Sequence, residues 1–119
     1  KTSGVDLNRL HLILAVLSKR LKIDFSHDDS HVNAVGGVDV KDPSADLAIA
    51  LALVSSKFDR ALPEKAVAFG EIGLTGELRG TPFVDRRTKE AKKLGFDLVV
   101  APSAAQKTLQ SALATLKLL

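Results

Sequence analysis

The chain has 119 residues, 45% of them apolar and 26% charged, which is enough for one compact core, short for two, and too apolar for a disordered segment. It has no cysteine, which excludes disulfides, thiolate zinc sites and thiol catalysis within this length, and no apolar run reaches the ~18 residues of a membrane span. The formal net charge is only +3, but a pI of about 9.3 and the grouping of the basic residues carry more meaning than the sum. Lys1 does not begin a plausible signal peptide, so the cytosol is the expected compartment, and an opening Lys-Thr-Ser without Met reads as a segment of a longer protein.

In chain order, DLNRLHLILAVLSKRLK places Leu7, Leu10, Ile13, Leu14, Leu17 and Leu21 at spacings of three and four, the stripe of an amphipathic helix over Asp6 to Lys22 that Asp6 caps. Polar Ser26 to Ser30 predict a turn, and the alternation after it suits a short strand or hairpin ending at Gly36 and Gly37. A helix from Ala45 to about Phe58 is apolar nearly all round, so it is expected at the centre of the core. After Leu62-Pro63, AVAFGEIG (Ala66 to Gly73) reads as a core strand and LTGELRG (Leu74 to Gly80) as a turn into a second short strand. A basic helix over Phe83 to Leu94 buries Val84, Ala91 and Leu94 and stops at Gly95. DLVVAP is a compact buried strand, and Leu109, Ala112, Leu113 and Leu116 give the tail from Ser103 to Leu119 the period of a closing helix. Strands alternating with helices make the fold α/β or α+β, in one domain over residues 1–119.

Three groups of residues invite chemistry. Gly70, Gly73, Gly76 and Gly80 lack the order of a P-loop or of GxGxxG, so tight turns account for them. His27, Asp28, Asp29 and His31 offer imidazole and carboxylate to a divalent metal, but a polar loop explains them and no further ligand pattern follows; His11 lies on a helix. Ser44, in DPSAD, stands at a helix start where Asp42 is a good N-cap, Pro43 fits the first position and Asp46 suits the helix dipole. For Ser44 to be a nucleophile it needs a nearby base, and the spacing of the histidines recommends none of them. Separately, Arg79, Arg86, Arg87, Lys89, Lys92 and Lys93, against only Asp85 and Glu90, form a basic surface segment, which by itself is as consistent with a solvated helix face as with a polyanion.

The blocks GVDLNRL, VNAVGG, DPSADLAIA, FGEIGLTGELR and RRTKEAKKLGF, in this order, resemble the C-terminal domain of the RadA (Sms) family of bacterial DNA repair proteins. That domain is similar in turn to the proteolytic domain of Lon, of the ribosomal protein S5 domain 2 type. The family carries an additional strand between the segment like DLVVAP and the last helix, where this chain has only AAQKT. In Lon-type peptidases a lysine on the helix after the GE(I/V)xLxG strand pair activates the serine of a PSAG motif. Ungapped alignment puts Ser44 at the serine and Arg87 at the lysine, with Asp42 and Asp46 replacing flanking glycines. A guanidinium keeps its proton and cannot serve as a base, and the two carboxylates oppose an oxyanion. Lys89 and Lys92 remain as substitutes on the same helix.

The resemblance therefore implies a domain with a degenerate peptidase site and no cofactor of its own, in a protein whose zinc finger (Zn2+) and RecA-like ATPase (ATP, Mg2+) lie outside this chain. Its implied tasks are assembly of a hexameric ring beside that ATPase, for an ATP-driven branch-migration motor, and sequence-independent contact with DNA. Arg79, Arg86, Arg87, Lys89, Lys92 and Lys93 are the candidates to face phosphates. With no Tyr or Trp, base stacking is expected to contribute little. The alternatives are a Ser-Lys peptidase using Ser44 and Lys89, and a pure oligomerisation module whose basic residues pair with acidic ones across the ring.

Overall fold

The structure, a computed structural model, describes residues 2–28, 32–33 and 41–119. Strand β1 (Thr2–Ser3) pairs in parallel with β2 (Val32–Asn33), and helix α1 (Leu7–Leu21) connects them. Asp6 caps α1 as expected, its carboxylate accepting from the Asn8 N–H at 2.9 Å. The buried side of α1 is Leu10, Ile13, Val16 and Leu17, with Leu14 and Leu21 half-buried; Leu7, expected on the stripe, is exposed because the first turn extends past the core. Apart from β2, the expected hairpin through Gly36 and Gly37 lies outside the described residues.

Helix α2 (Asp46–Phe58) follows a single 3-10 turn, Pro43–Ala45, which Asp42 caps by accepting from the Ser44 N–H at 3.0 Å. Its buried residues, Leu47, Ala50, Leu51, Leu53 and Val54, pack against α1. Ala48 is exposed, so burial is less than all-round.

The stretch expected as one strand, Ala66 to Gly73, is two. Strand β3 (Ala66–Ala68) pairs in parallel with β6 (Leu98–Val100), whereas β4 (Glu71–Ile72) pairs antiparallel with β5 (Leu78–Arg79). The partner changes at Gly70, whose N–H donates to the Ser44 carbonyl at 2.7 Å and whose carbonyl accepts from the Leu47 N–H at 3.0 Å. A side chain there would put its Cβ 3.0 Å from Cδ of Pro102, at a backbone φ of +156°. Glycine is thus what lets the sheet reach back and pin the start of α2.

The β4–β5 turn is closed by Glu77. Its carboxylate accepts from the Thr75 hydroxyl at 2.7 Å and the Thr75 N–H at 3.1 Å, and it lies so close over Gly73 that an added Cβ would meet Oε1 at 2.2 Å. The Thr75 hydroxyl bond, then the Glu77 backbone N–H, hold this carboxyl down at about 2 against an ordinary 4.5. Unfolding therefore takes up a proton between these values, and the stabilisation present above pH 4.5 is lost as the pH falls towards 2. Glu77→Gln is expected to flatten the acid limb of stability in that window, seen as a smaller loss of urea resistance between about pH 5 and about pH 3 than in the parent chain.

Helix α3 (Val84–Lys93) supplies the crossover that joins the parallel strands β3 and β6. Ala91 is buried and Val84 half-buried, but Leu94, expected in the core, is 69% exposed. The helix ends at Leu94, the chain turns through Gly95, and half-buried Phe96 folds back with its N–H on the Ala91 carbonyl at 3.0 Å. Helix α4 (Leu109–Thr115) is shorter than the expected tail helix because it starts only at the Thr108 cap. In AAQKT and its flanks the chain makes a turn between Ser103 and Gln106 and one antiparallel bridge, Thr108 to Glu77. Leu109, Ala112, Leu113 and Leu116 are buried as their period predicts, and with Leu118 they seal a core shared by α1, α2, β4 and β6. The architecture is a small mixed α/β domain, and no helix of the described residues is long and apolar enough to cross a membrane.

Candidate functional site

The Gly70 clamp fixes the start of α2 against the sheet, and α3 lies alongside, so three segments meet around Ser44. Ser44 is 6% exposed. Arg87, on α3, reaches it: Nη1 donates to the Ser44 hydroxyl oxygen at 2.5 Å and Nη2 to Asp42 Oδ2 at 3.1 Å. The guanidinium also lies 5.9 Å from the ring centre of buried Phe69. The two positions brought together by alignment are thus in direct contact in space.

This contact gives the Ser44 hydroxyl a donor and no base. A guanidinium has donors and no acceptor, so it occupies a lone pair of the hydroxyl and has nowhere to take its proton. The second carboxylate oxygen of Asp42 accepts from the Ser44 N–H, so that amide is already engaged. That N–H bond, then Arg87, hold the Asp42 carboxyl below the ordinary carboxylate range, which weakens it as a base. Lys89 lies two residues beyond Arg87, about 200° around the helix, and Lys92 about 140° around, so neither shares the face that touches Ser44. The exposed histidines His11 and His27 sit on α1 and on the turn after it.

Asp46 does something the sequence did not announce. It is 1% exposed, and its carboxylate is forked by Arg9 of α1, through Nε at 3.2 Å and through Nη2. It also accepts from the Ile72 N–H at 3.0 Å, so one buried carboxylate ties α1, α2 and β4 together. The hydrogen bond to Asp46 holds the Arg9 guanidinium above its ordinary value. Asp46 is therefore an internal brace as well as a charge near the helix start.

The basic candidates divide by location. Arg86, Lys89 and Lys93 line one open depression on the outer face of α3, with Glu90 the only acid among them. Lys92 faces a different depression, with Val84, Thr88 and Asp97. Arg79 stands apart on β5, 3.4 Å from Glu77 and 3.8 Å from Glu71, and Arg87 is turned inward. Of the candidate metal ligands, Asp28 pairs with Lys57 at 2.7 Å and His27 is exposed; Asp29 and His31 lie outside the described residues. Among the described residues no group of three or more His, Cys, Asp or Glu side chains could hold a metal ion.

Residues 12–105 match the family described as subunit ChlI of Mg-chelatase, and the chain belongs to that family. The chain is also similar to proteins named DNA repair protein RadA. The chain is 50% identical over 106 residues to that of Aquifex aeolicus, a match covering 89% of this chain and 24% of that protein. It is 48% identical over 101 residues to that of Escherichia coli, 85% and 22% respectively, and 48% identical over 100 residues to that of Mycolicibacterium smegmatis, 84% and 22%. The chain thus spans less than a quarter of the length of these relatives.

Proposed function

We propose that this chain is a non-proteolytic, Lon-like domain of a RadA-type DNA repair protein, which helps form a ring and holds DNA by its phosphates. The name of the relatives supports the repair context. The observation that carries the DNA contact is the outer face of α3, where Arg86, Lys89 and Lys93 converge on one open depression. Cations grouped in this way release counterions from a phosphate backbone without reading sequence. In the longer protein the domain would sit beside a RecA-like ATPase that binds ATP and Mg2+, in a cytoplasmic hexameric ring. Sedimentation of the longer protein with and without this domain tests the ring.

The absence of peptidase activity rests on the Arg87 contact to Ser44. A fluorophosphonate is expected to leave Ser44 unlabelled, with labelling indistinguishable from Ser44→Ala. Labelling, or turnover of an unfolded protein, that disappears in Ser44→Ala would establish a working nucleophile and overturn this half of the reading. The DNA half is tested by titrating a fluorescent duplex at low and high salt: affinity should fall as salt rises, and salt-independent binding would contradict it.

A further inference from the structure

Phe83 is the residue the DNA-contact reading leaves unexplained. It immediately precedes α3 with φ 63° and ψ 34°, a left-handed conformation that a bulky side chain with a Cβ rarely adopts. No side chain caps the helix there. The conformation brings the Phe83 carbonyl to accept the Arg87 N–H at 2.8 Å, while the residue itself stays 63% exposed. Burial of the ring therefore does not offset the strain, and strain of this kind collects at sites of function.

One cation lies over the ring. The Arg86 guanidinium carbon lies 5.0 Å from its centroid, and Arg86 begins the depression that Lys89 and Lys93 continue. A planar guanidinium that stacks by its face still presents its N–H edge to a phosphate. The exposed apolar side chain at the other end of α3, Leu94, is separated from Phe83 by the length of the helix, so the two do not form one apolar patch.

We infer that Phe83 is a stacking platform for an unpaired nucleobase, with Arg86, Lys89 and Lys93 holding the flanking phosphates. The inference rests on the DNA-contact reading and adds strand preference to it. A single strand offers both a polyanionic backbone and free base faces, whereas a duplex keeps its bases stacked inside. This departs from the expectation, drawn from composition alone, that stacking contributes little: one well-placed ring is enough.

The test compares a thymidine oligonucleotide with an abasic oligonucleotide of the same length, which carries the same phosphates and no bases. The parent chain should prefer the thymidine strand about tenfold, the worth of one stacked base. Phe83→Ala should erase that preference while leaving the salt dependence unchanged. Phe83→Trp would introduce the only tryptophan of the chain, and its fluorescence should be quenched by the thymidine strand and not by the abasic one. Equal, salt-dependent affinity for both strands, unaltered in Phe83→Ala, would overturn this inference alone. No binding of either strand beside salt-dependent binding of a duplex would overturn it alone, and no binding of the strands or of a duplex would overturn it together with the DNA-contact reading. A Phe83→Ala change seen only in sedimentation would assign the ring to a protein contact instead and overturn it.

Discussion

Arg9→Ala should destabilise the domain by about 3–5 kcal/mol, a large share of the roughly 5–15 kcal/mol that holds a domain of this kind folded. The reason lies with the partner left behind. Asp46 is 1% exposed, and without Arg9 its carboxylate would keep, among the described residues, the Ile72 N–H alone. A buried charge left without its counter-ion costs far more than the net worth of the pair. Asp46→Asn should cost less, because the neutral amide can still accept from Ile72. The pair Arg9→Met with Asp46→Leu should recover much of the loss, since it removes both charges together. Urea unfolding at neutral pH measures all three, and a cost below about 1 kcal/mol for Arg9→Ala would place the bridge with ordinary surface pairs.

Reversing Arg86 and Lys89 together to Glu should weaken DNA binding on the order of 10²–10³-fold, as two favourable charge contacts become two unfavourable ones. The change should leave folding nearly intact, because both side chains are exposed on the outer face of α3. Arg79→Glu should do less, since Arg79 already stands beside Glu71 and Glu77. Arg87 is a poor probe of DNA contact, because replacing it opens the Ser44 contact and frees Asp42. Affinity measured by fluorescence anisotropy at one salt concentration ranks the variants, and an ordering with Arg79→Glu weakest would move the contact off α3.

The meeting of Ser44 and Arg87 was legible in the sequence because both stand at motif positions whose order and spacing can be aligned. The caps at Asp6 and Asp42 were legible because a cap acts within two or three residues. Arg9 was not, since its partner lies 37 positions away and Asp46 already had a sufficient local explanation at a helix start. The break in Ala66 to Gly73 escaped for a similar reason: apart from Glu71 the run is apolar or glycine, and what changes at Gly70 is the chain it pairs with. Leu94 has helical spacing from Ala91 but falls where the helix ends, so periodicity placed it inside and the turn at Gly95 left it outside. Phe83 carried no signal of exposure, because an isolated aromatic reads as core and backbone strain has no spelling in residue types.

If the outer face of α3 holds DNA by phosphate neutralisation, as proposed, log affinity falls linearly with log salt at a slope set by the number of phosphates neutralised. With Arg86, Lys89 and Lys93 each neutralising one phosphate of a DNA duplex, they account for a slope of about −2.7, an affinity loss of roughly 40-fold between about 50 and about 200 mM salt. Replacing all three with Gln should make the slope shallower by about that amount. A slope that stays unchanged in the triple variant would contradict the claim, and the DNA contact would have to lie elsewhere on the protein.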